Sequence, residues 1–153
     1  MRQTIFISHA TPNDNALASW LAARLSSLGY RVWVDLEKLK GGDPFWRDIQ
    51  AAIREQAVRF LCVVTQTSMT RQGVLNEIAE ACSAAKNLND PRFIIPLRGD
   101  FISWDDFPIQ LKTLNGIDFS ESWHRGLWAC WMRSTEMKCR ALKATLKFLE
   151  RHA

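Results

Sequence analysis

The chain alternates between short apolar runs and longer stretches in which apolar residues recur at helical spacing. Residues 5–10 (IFISHA) form an apolar run that stops at a polar pair, which predicts a strand followed by a loop. Residues 14–28 carry leucines and a tryptophan at helical spacing, with Asn13 or Asp14 as the expected cap. Residues 31–35 (RVWVD) return to a strand pattern. This order of strand, helix and strand predicts parallel pairing of the two strands.

The same alternation continues beyond residue 35 and completes a predicted sheet of five strands. The run at residues 59–64 is apolar at almost every position, so we expect it at the centre of the sheet, covered on both faces. Pro96 suits a strand end or a position near the sheet edge. The later elements are a helix from Asp43–Pro44 through Ile53, a strand at 59–64, a helix at about 70–86, a strand at 93–97, a strand at 116–119 and a helical segment from Ser122. This pattern predicts an α/β fold, a flavodoxin-like doubly wound parallel sheet of order 2-1-3-4-5 with helices on both faces.

The chain length of 153 residues suits one domain. We expect a single domain over residues 1–153, with a core at about 3–120 and a C-terminal helical segment at about 122–151. In that segment Leu142, Leu146 and Leu149 form an apolar stripe beside several basic residues. This stripe predicts packing against the sheet, or alternatively against a following domain.

Composition narrows the class of protein. Hydrophobic residues make up 47% of the chain and charged residues 24%, as in globular proteins. The net charge of +4 is spread along the chain, which favours a solvated basic surface over a nucleic-acid site. We find no apolar stretch of membrane-spanning length and no signal-peptide pattern at the N-terminus. The four cysteines lack the paired spacing of a zinc site, so we predict no metal site and a reducing, cytoplasmic location.

The predicted topology places polar residues together at the carboxyl edge of the sheet. In open α/β sheets ligands bind at this edge, where neighbouring connections run to opposite faces, here between the first and third strands. Ser8 and His9 follow the first strand, Asp35 follows the second, and the 67–77 region follows the third. The sequence therefore predicts a site formed by these three segments.

Four segments in order resemble a known family. Residues 5–10 (IFISHA), 29–37 (GYRVWVDLE), 45–49 (FWRDI) and 73–79 (GVLNEIA) look like those of a bacterial TIR (Toll/interleukin receptor) domain. The resemblance covers about residues 3–150 and is closest to the TIR domains associated with short prokaryotic Argonaute systems. It implies cleavage of NAD⁺ to nicotinamide and a linear or cyclic ADP-ribose, in bacterial anti-phage or anti-plasmid immunity. NAD⁺ is then the substrate, and no separate cofactor is expected.

The resemblance also implies a catalytic residue and partners. The family's catalytic glutamate on the third helix corresponds to Glu77, although Glu80 could share its helix face. A single carboxylate can suffice, because nicotinamide leaves a cationic ring as a neutral molecule and needs no general acid; the carboxylate stabilises the ribosyl cation. TIR domains typically assemble with one another through the loop at residues 36–43, so self-association is expected to activate the enzyme. A short Argonaute subunit with guide and target nucleic acid is a further expected partner.

One position departs from the family pattern. Many TIR hydrolases have a tryptophan four residues before the glutamate, a platform for a base, and Gly73 stands there. Phe45 and Trp46 could replace that platform or could pack in the core. Backbone amides near Ala10 and Thr11, at the start of the first helix, could meet the pyrophosphate. The predicted substrate-binding residues are Ser8, His9, Ala10, Thr11, Asp35, Lys38, Phe45 and Trp46; His9 is expected to line the site, and Asp35 to contact ribose or to cap its loop.

Three other classes of protein make different demands on the same positions. A phosphoacceptor receiver domain needs an acidic pair after the first strand and an aspartate after the third, where this chain has Ser8–His9 and Thr65, so that class is excluded. A non-enzymatic TIR scaffold that acts through self-association is the main alternative, and incubation with NAD⁺ under assembling conditions separates it from an enzyme. A nucleoside deoxyribosyltransferase-like enzyme is a more distant alternative, which a product screen with nucleosides would reveal.

Overall fold

The computed structural model describes residues 2–34 and 45–133. Within these ranges strands and helices alternate from the first strand to the last helix. The elements are β1 (Thr4–Ser8), α1 (Asn15–Ser27), β2 (Arg31–Val34), α2 (Phe45–Ala51) continued by a π-helical turn (Ala52–Gln56), β3 (Ala57–Val64), a 3₁₀ turn (Ser68–Thr70), α3 (Gln72–Leu88), β4 (Ile94–Arg98), a second 3₁₀ turn (Trp104–Asp106), α4 (Ile109–Lys112), β5 (Ile117–Asp118) and α5 (Trp123–Arg133).

All the strand pairs are parallel, and the sheet has the order β2-β1-β3-β4-β5. The predicted doubly wound fold and its strand order are therefore confirmed, and β3 is the central strand. β3 begins at Ala57, two residues before the predicted start, because Thr4 pairs with Ala57 across an irregularity between Thr4 and Ile5. Pro96 lies in β4 opposite Cys62, one residue before the ladder with β5 begins.

Side chains on β1 alternate between two hydrophobic cores, one on each face of the sheet. Ile5 and Ile7 belong to the core that contains residues of α1, and Phe6 belongs to the core that contains residues of α2 and α3. By the same alternation Ser8 faces the side of α3. Because both faces are covered by helices, β3 is buried along most of its length. Because the two faces are covered, the side chains of the sheet that a ligand can reach are those at its carboxyl edge.

The ends of α1 show which cap predictions hold. Gly29, with φ at +91°, follows the helix and supplies the left-handed conformation that ends it. Asp14 occupies the N-cap position, but its carboxylate makes no hydrogen bond to the helix amides. It accepts a hydrogen bond from Thr65 Oγ1 at 2.7 Å instead. Asp14 is therefore the N-cap residue, as predicted, but its carboxylate binds the loop after β3 instead of the helix amides.

The prediction for the C-terminal helical segment falls partly outside the described residues. α5 is described to Arg133, and the leucine stripe at Leu142, Leu146 and Leu149 lies beyond that point. Over the described ranges, no helix combines the length and the apolar character that crossing a membrane requires.

Candidate active site

A small pocket opens at the carboxyl edge of the sheet, beside the ends of β1 and β2. Its volume is about 40 Å³. That is well below the roughly 300 Å³ of a complete small-molecule site, so the described part of the pocket can hold only part of such a ligand. The lining residues are Phe6, Ile7, His9, Thr11, Trp33, Ile49 and Glu77. The fold thus brings together three of the residues predicted from the sequence, which are His9, Thr11 and Glu77.

Glu77 reaches this pocket from the second turn of α3. Val74 and Ile78 are buried and hold the helix against the sheet, while Glu77 is half-buried. The carboxylate lies close enough to β3 to affect the buried Cys62 thiol, whose pKa is raised first by burial and then by the negative charge of Glu77. A carboxylate at the rim of an apolar face is well placed to stabilise positive charge on a ligand, because low polarity strengthens charge interactions.

Glu80 lies one turn further along α3 and has a different environment. Its carboxylate accepts hydrogen bonds from Gln50 Nε2 at 2.7 Å and from Arg54 Nε and Nη2 at 2.7 and 2.9 Å. Burial alone raises the pKa of Glu80, but the hydrogen bonds from Arg54 and Gln50 and the charge of Arg54 outweigh it and lower the pKa. Both oxygens are thus engaged in joining α3 to α2 and its π-helical turn, and Glu80 is not among the pocket residues.

His9 is buried in the loop between β1 and α1. Its Nε2 atom lies 2.9 Å from Asn15 Oδ1 and 3.2 Å from Thr11 Oγ1. An Nε2–H in this position donates to the amide oxygen of Asn15, which fixes the ring against the start of α1. The arrangement orients His9 along the pocket wall and also holds Thr11 beside it.

A second polar cluster fixes the loop that leads from β3 into α3. The Thr65 N–H donates to Ser68 Oγ at 2.8 Å, and the Ser68 N–H donates to Thr65 Oγ1 at 3.0 Å. The Thr65 hydroxyl also binds Asp14, whose pKa is raised chiefly by burial. Arg71 donates to Asn13 Oδ1 at 2.9 Å across the same loops. These bonds join the loop after β1 to the loop after β3. They thereby fix where α3 begins and, through α3, where Glu77 lies.

Ser8 and Ala10 are buried at 1% exposure each, deeper than a substrate contact requires. The Ala10 carbonyl accepts the Asp14 N–H at 2.8 Å, as the first turn before α1. The Ser8 hydroxyl is buried with no hydrogen-bond partner among the described residues. A hydroxyl in this state costs free energy that folding must offset.

The other predicted binding residues lie outside the pocket or outside the described residues. Trp46 is 37% exposed at the start of α2 and does not line the pocket, although Ile49 one turn later does. Asp35 and Lys38 lie outside the described residues, and so does the side chain of Phe45. At Gly73 an added Cβ would meet no atom within 4 Å, so the position usually held by tryptophan opens to free space.

Sequence reasoning missed Trp33 as a pocket residue. It is half-buried near the carboxyl end of β2, directly across from Phe6 in the sheet register. The strand pattern gave a partial signal, because residues near the carboxyl end of a parallel strand lie at the ligand edge. However, a tryptophan within an apolar run is equally typical of a residue buried in the core.

No group of three or more histidine, cysteine, aspartate or glutamate residues within residues 2–34 and 45–133 is arranged to hold a metal ion.

The five-stranded parallel sheet, with a pocket at its carboxyl edge lined by an acidic residue of α3, defines a flavodoxin-like domain. The model of the TIR domain family matches residues 5–129. The chain belongs to the TIR domain family. A relative in Sinorhizobium fredii (strain NBRC 101917 / NGR234), named as uncharacterized protein y4cD, is 33% identical over 129 residues. These residues cover 82% of this chain but only 19% of the relative, so the chain spans about a fifth of that protein's length.

Proposed function

We propose that this domain is an NAD⁺ glycohydrolase of the cytoplasm in which Glu77 is the catalytic carboxylate. The TIR family includes enzymes of this type. The observation that carries the proposal is the position of Glu77 in one pocket with His9 and Thr11, at the switch point of the sheet. Glu80, the competing carboxylate on the same helix, is already held by Arg54 and Gln50.

The proposed reaction breaks the bond between the ribose C1′ and the nicotinamide nitrogen. The bonding electron pair leaves with nicotinamide, so the pyridinium becomes neutral and positive charge develops on the ribose. The Glu77 carboxylate stabilises this charge at the apolar rim of the sheet. Attack by water at C1′, with loss of a proton, gives linear ADP-ribose; attack by a ring nitrogen of the adenine gives a cyclic product. The residues do not distinguish these two products.

The remaining predicted contacts complete the proposed binding site around this centre. His9 and Thr11 form one wall beside Glu77. We assign Thr11 to the pyrophosphate through the backbone of the loop that leads into α1, and the buried Ser8 and Ala10 to the support of that loop. Asp35, Lys38, Phe45 and Trp46 are proposed to cover the ribose and base from the segment that follows β2.

Self-association is the proposed form of activation, as TIR domains commonly associate with one another. The resemblance to TIR domains of short Argonaute systems suggests an immune role in which a partner with guide and target nucleic acid brings the domains together. The relative in Sinorhizobium fredii is about five times the length of the matched segment, so at least one relative carries this segment within a much longer chain.

The first test is a matched pair of substitutions on α3. Glu77→Gln keeps the side-chain size and removes the charge, so we expect NAD⁺ cleavage to fall by at least about 100-fold, the scale of removing one transition-state electrostatic contact. Glu80→Gln alters the next turn of the same helix and is expected to retain activity within about twofold to threefold, because Glu80 binds Arg54 rather than the pocket.

Both variants should be assayed as assembled protein by release of nicotinamide, with circular dichroism to verify the fold. Near-native turnover in Glu77→Gln would contradict the assignment. Absence of turnover in native protein under all assembling conditions would favour the scaffold alternative.

A further inference from the structure

A larger cavity lies at the other end of the sheet, beside the edge strand β5. Its volume is about 400 Å³. That lies within the range of roughly 300–1,000 Å³ that is typical of small-molecule sites. The cavity is an open groove between the 3₁₀ turn Trp104–Asp106, the end of β5 and the start of α5. Among the described residues it shares no lining residue with the pocket at Glu77, so the proposed reaction makes no use of it.

Trp104 forms one wall of the groove and is held in place by three neighbours. Its ring centroid lies 4.9 Å from that of Phe107, and the guanidinium carbon of Arg98 lies 5.6 Å from the indole centroid. The indole also lies so close to Gly116 that a Cβ atom added to this glycine would collide with it. Trp104 nevertheless remains 42% exposed. A fixed indole with exposed surface provides a packing surface for another flat ring.

The groove offers hydrogen-bond donors that the described part of the chain does not use. Arg125 is exposed, and its guanidinium makes no hydrogen bond or ion pair with a described residue. The Nε1–H of Trp104 likewise has no acceptor there. The Ser122 hydroxyl oxygen accepts the Arg125 N–H at 3.3 Å, which leaves the hydroxyl hydrogen available to donate. α5 begins beside this serine with no acidic residue in its first turn, so the partial positive charge of the helix end is not offset.

The two acidic residues that line the groove in the described chain do not cancel these donors. Asp118 Oδ1 accepts the Ser120 N–H at 2.8 Å and the Ser120 hydroxyl at 2.6 Å, and its Oδ2 accepts from Arg98 Nη1 at 3.3 Å. Glu121 is exposed, and its single charge balances that of Arg125. The groups that remain are donors, so the groove favours a negatively charged group on its ligand.

We propose that this groove is a second ligand site, which takes a small compound with a flat ring and a carboxylate or phosphate group. The ring packs against the exposed part of Trp104. The anionic group accepts hydrogen bonds from the Arg125 guanidinium, whose planar fork matches a carboxylate or a phosphate. The site goes beyond the proposed cleavage of NAD⁺, and neither proposal depends on the other.

The test separates the ring from the charge with four probes. Naphthoate and naphthyl phosphate carry both features, naphthylmethanol has the ring without the charge, and cyclohexanecarboxylate has the charge without a flat ring. Binding to the full chain is followed by nitrogen–proton NMR of the indole N–H groups, with the Trp104 signal identified from Trp104→Phe. We expect the better of the two anionic ring probes to bind about three- to tenfold more tightly than naphthylmethanol or cyclohexanecarboxylate and to shift the Trp104 signal. The better probe also shows whether the groove takes a carboxylate or a phosphate.

Charge substitutions at two exposed positions should act in opposite directions. Arg125→Gln should remove most of the preference for the anionic ring probes over naphthylmethanol, because the paired cation is lost. Glu121→Gln should strengthen binding of the anionic probes by up to about threefold, because it removes an opposing charge. Arg92→Gln is the matched control, since Arg92 is also exposed but precedes β4 and lies at the amino edge of the sheet. It should leave all four affinities unchanged.

Gly116→Ala tests the Trp104 wall without changing a polar group. The added methyl group must displace the end of the indole side chain, so the domain should fold while the wall moves. We expect the ring probes to bind about three- to tenfold more weakly and cyclohexanecarboxylate to bind as before. Circular dichroism verifies the fold of each variant. Equal or absent binding of the four probes in native protein, an unchanged charge preference in Arg125→Gln, or unchanged ring affinity in Gly116→Ala overturns the proposal.

Discussion

Two buried serines show how differently one hydroxyl can affect stability. Ser8 Oγ has no hydrogen-bond partner among the described residues. Ser68 Oγ accepts the Thr65 N–H at 2.8 Å and donates to the Thr65 carbonyl at 3.2 Å. Both side chains are essentially inaccessible to water. The domain therefore contains one buried hydroxyl without a described hydrogen-bond partner and one whose hydrogen bonds are formed, and the two can be compared directly.

We predict that alanine has opposite effects at these two positions. Ser68→Ala should lower the free energy of unfolding by about 1–2 kcal/mol, because the buried Thr65 N–H loses its acceptor. Ser8→Ala should leave it unchanged or raise it by up to about 1 kcal/mol, because a hydroxyl desolvated without compensation is removed. Urea unfolding of both variants beside the native protein measures the difference. A loss in Ser8→Ala as large as that in Ser68→Ala would show that the Ser8 hydroxyl is satisfied in solution.

At the scale of elements, α3 is held to α2 by one acidic side chain. Glu80 binds both Arg54 and Gln50, and its side chain is 11% exposed while that of Arg54 is 55% exposed. The pKa of Glu80 is lowered in the fold from its ordinary 4.5. A carboxyl group with a lowered pKa contributes stability above its unfolded pKa, and this contribution is lost as the pH falls through the folded value.

We therefore predict a pH-dependent difference between native protein and Glu80→Gln. Native protein should be the more stable of the two near neutral pH, since the variant keeps hydrogen bonding but loses the ion pair. The difference should shrink as the pH falls below about 4.5, where Glu80 of the unfolded chain becomes protonated. Chemical unfolding from pH 3 to pH 7 tests this expectation. A difference that does not change with pH would indicate that the interaction is not ionic.

The sequence predicted the strands and helices best where burial of apolar residues was the dominant requirement. The apolar run at residues 59–64 had to be covered on both faces, and β3 is the central strand. The choice of Glu77 came from the resemblance to TIR domains, whereas the helix that bears Val74 and Ile78 follows from its spacing alone. Here burial alone decided the outcome, so a pattern of apolar residues was sufficient.

The predictions were wrong or incomplete where two local interactions competed. Asp14 had the right position for a cap, but Thr65, distant in sequence, binds its carboxylate. The π-helical turn Ala52–Gln56 extends α2, and it contains no glycine or proline from which a change in the helix could be predicted. Trp33 required knowledge of the register with Phe6, which fixes which side chains meet at the edge. Such contacts depend on how separate strands align, and a single sequence carries no direct sign of that alignment.

For the whole molecule, the pocket volume of about 40 Å³ leaves most of a dinucleotide outside the described residues. We propose that the remaining cover comes from residues 36–43, which lie outside the described residues, or from a neighbouring domain. A binding state completed by a neighbour is poorly populated in a monomer, which lowers the apparent affinity in proportion.

We predict that NAD⁺ turnover per domain rises with enforced oligomerisation. The assay spans a wide protein concentration range, with and without fusion to an oligomerising tag, and the oligomeric state is measured by light scattering. Lys38→Glu should reduce the gain from assembly while leaving the circular dichroism spectrum unchanged, because charge reversal in the loop opposes contact with a neighbour. Constant specific activity in monomeric protein would instead identify a conventional single-subunit hydrolase.

The edge strand β5 limits the ways in which copies of this domain can join. It contains only Ile117 and Asp118, and the backbone N–H groups of the next two residues are already used, Phe119 by the Arg98 carbonyl and Ser120 by the Asp118 carboxylate. A foreign strand finds too few free backbone groups there to extend the sheet. Contacts at this end must therefore be made by side chains. Side-chain contacts of this kind can form and separate reversibly, whereas continuous cross-β growth would be difficult to reverse.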